Sequence, residues 1–104
     1  MAVIFFETNE EVRDRCYFVV ICYDISDNKR RYRFAKLLER YGLRVQRSVF
    51  EGNLSKVKYN QLVSKIDGYI IEGDNVRVYK ITGNGEIKTW GNVESPKVED
   101  VIII

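Results

Sequence analysis

Seven consecutive residues, Tyr17-Phe18-Val19-Val20-Ile21-Cys22-Tyr23, carry no polar face. A run of β-branched and aromatic side chains that stops abruptly at Asp24 fits a central strand buried on both sides. The residues after it constrain its surroundings. Ser26, Asp27 and Asn28 bring helix-capping chemistry. Phe34, Leu37, Leu38 and Tyr41 then recur at i, i+3, i+4 and i+7, so the spacing predicts a helix over 28–41 with one apolar stripe, terminated by Gly42. Propensity makes 43–51 one strand, with Val45 and Val49 on one face and Ser48 and Phe50 on the other. A second helix starts from a cap at Asn53 or Ser55 and runs to about Ile66 on the stripe Tyr59, Leu62, Val63 and Ile66. Residues 75–81 alternate as a strand, Asn84-Gly85 is a favoured two-residue hairpin turn, and 86–90 return. A loop over 91–97, with Pro96, leads to a last strand over 98–104. Strand, helix, strand, helix, hairpin, strand gives an α+β sandwich with its helices on one face of a sheet. Residues 1–16 form an N-terminal extension in which 3–6 have the composition of a short strand, and 17–104 form the domain.

A chain of 104 residues can bury a single core without staples. Apolar residues at 45% and charged residues at 31% are those of a globular domain and argue against disorder. No apolar run reaches the roughly 18 residues of a membrane span. The first six residues are too short for a signal-peptide core and lack a basic flank. Cys16 and Cys22 on one strand would stand roughly 20 Å apart, whereas a disulfide needs Cα atoms within about 7 Å. Reduced thiols and a cytoplasmic location are therefore expected. The chain has no histidine. That removes serine–histidine and cysteine–histidine nucleophile systems, histidine-ligated zinc, and the usual general base near neutral pH. Any hydrolysis must rest on carboxylates with a hard metal, or on positioning alone.

Two constellations carry chemistry. The first is Asp24, with Ser26 and Asp27 close behind it. Strand ends that feed helices are common ligand sites, and a carboxylate beside a core strand needs a cation, donors or water. A turn or capping role accounts for the same residue. One carboxylate is a thin metal site, but a two-fold axis near the strand end would bring two Asp24 side chains together. The second is basic. From 29 to 47 the chain carries Lys29, Arg30, Arg31, Arg33, Lys36, Arg40, Arg44 and Arg47 against one acid, Glu39. Lys29, Arg33, Lys36 and Arg40 form a single stripe away from the apolar one. A solvated face usually mixes signs, so a surface for the phosphate backbone is the better reading, without base-edge readout. The aromatic signature of RNA-recognition sheets is missing, which argues against base stacking on an open sheet. Val101 to Ile104 would be a sticky edge unless packed in the chain's own sheet or paired with a second protomer.

Tyr23-Asp24-Ile25-Ser26-Asp27, then Arg30-Arg31, then Gly42-Leu43-Arg44-Val45-Gln46-Arg47-Ser48-Val49-Phe50-Glu51, and later Asn75-Val76-Arg77-Val78-Tyr79-Lys80-Ile81, closely resemble the Cas2 family, the small CRISPR-associated nucleases of spacer acquisition. The resemblance covers 17–104. It implies a ferredoxin-like βαββαβ sandwich with an extra C-terminal strand, and two short strands or a sharp bend around Gln46 to Ser48. It implies a homodimer in which the last strand adds to the partner's sheet. Asp24 would meet its symmetry mate there as ligand to Mg²⁺ or Mn²⁺, with Ser26 orienting water or phosphate. Metal-dependent cleavage of single-stranded RNA or double-stranded DNA is implied, as is a scaffold role beside the CRISPR integrase, Cas1. Lys29, Arg30, Arg31, Arg33, Lys36 and Arg40 would grip the DNA or RNA backbone. A toxin-type ribonuclease of the virulence-associated D family is the alternative on the same fold. The first sixteen residues depart from the family pattern, which usually starts at the first strand.

Overall fold

The computed structural model describes residues 1–6 and 16–91. The strand expected over 98–104, most of the loop over 91–97 and the polar part of the extension lie outside the described residues. The elements are β1 (Ala2–Phe6), β2 (Cys16–Asp24), α1 (Asn28–Glu39), β3 (Leu43–Gln46), β4 (Val49–Ser55), α2 (Lys56–Ile66), β5 (Asn75–Lys80) and β6 (Gly85–Trp90). The six strands form one sheet in the order β1-β6-β5-β2-β4-β3, and every pair is antiparallel. The segment β2-α1-β3-β4-α2-β5 is the ferredoxin-like βαββαβ unit, and β6 and β1 extend its sheet on the β5 side.

The apolar run becomes the central strand, but only one of its faces is sealed. Val19, Ile21 and Tyr23 are buried, while Phe18, Val20 and Cys22 stay half-buried. The reason is the helices, which both pack on one side. From α1 come Phe34, Ala35, Leu37 and Leu38, and from α2 come Tyr59, Leu62 and Ile66. Tyr23 meets Phe34 edge-on with ring centroids 5.1 Å apart. Near the β5–β6 end the same layer turns polar. Buried Glu86 accepts from Tyr59 Oη at 2.6 Å and pairs with Lys88 at 3.0 Å.

Local details correct several expectations. Residues 43–51 are a hairpin, not one strand. Gln46 faces Val49 across a two-residue turn at Arg47-Ser48, and a bulge shifts the register between Arg44 and Gln46. This turn lacks the Gly and Asn that mark most tight hairpins. The other turn is not the pair Asn84-Gly85. Residues 81–84 connect the strands, the positive φ of 68° falls at Gly83, and Gly85 lies in β6 under the Phe6 ring. Helix α1 stops at Glu39 rather than Tyr41. Gly42 is needed for close approach, since a Cβ there would overlap the Glu51 carbonyl of β4. Of the alternative caps for α2, Ser55 is used, accepting from Lys58 N–H at 3.2 Å, while Asn53 is within β4. The short strand expected over 3–6 forms β1, paired with β6 from Ala2↔Thr89 to Phe6↔Gly85.

Candidate nucleic-acid interface and Asp24

Asp24 is the last residue of β2, exposed, and faces Asn75 across the ladder. Alternation along β2 puts it on the sheet face that the helices leave uncovered, in line with Val20 and Cys22. A shallow groove of about 210 Å³ runs past it, lined by Cys22, Asn75 and Arg77 among others. Arg77 donates to Tyr79 Oη at 3.3 Å. Burial pushes the Cys22 thiol up against the opposing pull of Arg77, which keeps it a neutral thiol. Cys16 and Cys22 are unbridged at opposite ends of the same strand. Among the described residues no three carboxylate or thiol side chains converge. Asp24 is a hard oxygen donor, suited to Mg²⁺ in kind, and among the described residues it belongs to no group of three such ligands.

The loop after Asp24 is held from beneath by a residue that sequence reasoning missed. Asp74, 1% exposed, accepts from Arg30 Nε at 3.2 Å and from a terminal Arg30 nitrogen at 3.0 Å. It also accepts from the Ile71 N–H at 3.0 Å, and the Ser26 N–H adds to the field that favours its charged form. Burial alone would raise its carboxyl, but the Arg30 guanidinium and the two N–H groups outweigh it and hold it below the usual carboxylate range. Asp27 caps α1, accepting from Arg30 N–H at 2.9 Å. That hydrogen bond leads the causes that lower its pKa. The only sequence signal at Asp74 was a Gly-Asp pair before a strand, which reads as an ordinary turn.

The basic residues divide. Lys29, Arg33, Lys36 and Arg40 are exposed along α1, and Lys36 pairs with Glu39 at 3.3 Å. Arg30 is turned inward onto Asp74. Arg31 is half-buried, donating to the Ile25 carbonyl at 3.2 Å and to Asn28 Oδ1. It shares a groove of about 310 Å³ with Arg44 and Arg47, between α1 and the β3–β4 hairpin. Ser26 is exposed, two residues beyond Asp24. The structure therefore gathers Asp24, Ser26 and the start of α1 at one end of the sheet, and separates Arg30 from the outward-facing cations.

The chain is similar to known proteins over most of its length. The family model for CRISPR associated protein Cas2 matches residues 17–88. A CRISPR-associated endoribonuclease Cas2 of Mycobacterium tuberculosis (strain CDC 1551 / Oshkosh) is 42% identical over 85 residues, covering 82% of this chain and 75% of that protein. CRISPR-associated endoribonuclease Cas2 3 of Synechocystis sp. (strain ATCC 27184 / PCC 6803 / Kazusa) is 41% identical over 91 residues, covering 85% of this chain and 99% of that one. A crystal structure described as cas2 superposes with a TM-score of 0.61 at 29% identity, covering 86% of this chain and 98% of that one. Another, of a hypothetical protein TT1823 from Thermus thermophilus, gives 0.59 at 34% identity over 65% of this chain and 84% of that one. With the matched span running from β2 into β6 and the relatives aligned over most of its length, this chain belongs to the Cas2 family of CRISPR-associated proteins.

Proposed function

We propose that this chain is a metal-dependent endonuclease that acts on a nucleic-acid backbone as a homodimer, with RNA as the first substrate to test. The relatives' names, CRISPR-associated endoribonuclease, support the choice of RNA. The observation that carries the reading is the placement of Asp24, exposed at the end of the central strand and on the uncovered sheet face, next to the cationic start of α1. Two chains meeting through that face would bring two Asp24 carboxylates together, enough to hold one Mg²⁺ or Mn²⁺. When bound there, the cation supplies an acidified water and neutralises charge on phosphate oxygens. The protein's own share is positional. Lys29, Arg33, Lys36 and Arg40 neutralise phosphates, Ser26 presents a hydroxyl to water or phosphate, and Asp74 with Arg30 holds the loop that spaces them.

Double-stranded DNA and a scaffold role beside the CRISPR integrase form a second reading. The observation favouring it is that the basic stripe and the uncovered face both work without chemistry. Membership of the Cas2 family goes against the toxin-type alternative. Among the described residues no helix is long and apolar enough to cross a membrane. The deciding experiment is cleavage of RNA and duplex DNA with and without Mg²⁺, comparing wild type with Asp24→Asn. Metal-stimulated cleavage should disappear in the variant while nucleic-acid binding persists. Cleavage that continues at the wild-type rate would place the chemistry elsewhere. No cleavage by the wild type on either substrate would leave the scaffold reading.

A further inference from the structure

We infer that Tyr32 is a stacking platform for an unpaired nucleobase, which makes the α1 surface selective for single strands over duplexes. The inference rests on the nucleic-acid reading above and adds to it the form of the strand. Its first support is exposure. Tyr32 is 64% exposed, whereas Tyr23 and Tyr59 in the neighbouring elements are buried. The ring joins none of the aromatic pairs found among the described residues. Its second support is position. Tyr32 follows Lys29 by three residues and precedes Lys36 by four, so it stands within the cationic stripe and not on the buried face. The Lys36 ammonium lies 5.4 Å from the ring centroid and steadies it from one side.

The third support is the relief around the ring. Tyr32 is shared by two depressions. One is lined with Lys29 and Arg33, and the other with Arg31, Arg44 and Arg47. An aromatic ridge with cations on both flanks is what a single strand needs: a π-face for one base, and positive charge for the phosphates before and after it. Stacking tolerates any base, which agrees with the lack of base-edge readout. A duplex keeps its bases stacked inside and can use only the cations. The ridge is on a helix, so the missing aromatic signature of RNA-recognition sheets does not bear on it.

The test is fluorescence anisotropy with a short single-stranded RNA and a duplex DNA of equal length, without divalent metal. Tyr32→Ala should weaken single-strand binding about 10-fold, in the range of one base–aromatic stack, and leave duplex binding within about twofold. Tyr32→Phe should bind both like wild type, because the ring alone is required. Alanine favours the helix more than tyrosine does, so the variant folds, which circular dichroism checks. The double variant Lys29→Gln with Arg33→Gln should weaken both substrates. If that variant loses binding while Tyr32→Ala loses none, or loses both substrates equally, the stacking inference is overturned and the backbone reading stands. A wild type that binds neither substrate would overturn both.

Discussion

Asp74 shows how a buried residue can govern a site it does not line. Its carboxylate takes three hydrogen bonds from Arg30 and Ile71, and the Ser26 N–H favours its charge, tying the run-in to β5 to the start of α1 and the loop before it. Asp74→Asn keeps the shape but removes the charge that Arg30 answers. Leaving a mostly buried guanidinium short of its partner should destabilise the fold by about 2–3 kcal/mol at neutral pH. Because the folded-state carboxyl titrates below its unfolded value, its stabilisation is complete above about pH 4 and is lost as pH falls through the depressed pKa. The gap between wild type and Asp74→Asn in urea midpoint should therefore narrow below pH 4. Glu86 and Asp27 are also held low and steepen the acid limb of both proteins, so the difference curve is the quantity to read. A gap that stays constant from neutral pH to acid would show that the charge on Asp74 is not what stabilises the fold.

At the level of elements, the join between α1 and the β3–β4 hairpin is a close backbone contact. A side chain at Gly42 would overlap the backbone of Glu51, which cannot rotate away. Gly42→Ala should destabilise the chain by about 1–3 kcal/mol, the usual penalty for overpacking; a thermal midpoint equal to wild type would show that the hairpin can yield. The helices themselves were legible from their stripes, because burial of Phe34, Leu37 and Leu38, or of Tyr59, Leu62 and Ile66, comes directly from spacing. The hairpin turn at Arg47-Ser48 was not, since its residues favour no special φ and the break is set by packing on β2 and α1. It was visible only through resemblance. Asp24 was legible as the end of an apolar run, whereas its support by Asp74 was not, because fifty residues separate the two and only the sheet order joins them. Counting charges likewise could not tell Arg30, which faces Asp74, from Arg33, which faces outward. That distinction sharpens the salt test on α1. Replacing Arg33 and Arg40 by Gln removes two phosphate contacts per chain, so the slope of log K against log salt for duplex DNA should flatten by roughly 2 per chain. An unchanged slope in the folded variant would put the nucleic acid on another surface.

For the whole molecule, the decisive feature is a sheet with one face packed by helices and the other left half-open. Phe18, Val20, Cys22 and Tyr79 are partly exposed there, around the same strands that end in Asp24 and begin with Asn75. Antiparallel sheets tolerate one wet face when it is polar. This one carries apolar and aromatic side chains at its centre, which is the composition of an interface core. Covering it with a second copy would close the face and pair the Asp24 carboxylates in one step, making fold and chemistry depend on the same contact. Val20→Lys separates these effects. In a lone chain a lysine at this half-open position can extend its ammonium to water and leave the core face of β2 intact. In a dimer it would be buried and would meet its own copy across the axis, a mismatch of about 2–5 kcal/mol. On the homodimer proposed above, wild type should sediment as a dimer at micromolar concentration and the variant as a folded monomer. It should also lose metal-stimulated cleavage, although Asp24 is untouched. A Val20→Lys protein that remains a dimer with wild-type affinity would exclude this face as the interface, and with it the pairing of Asp24 that the proposed chemistry requires.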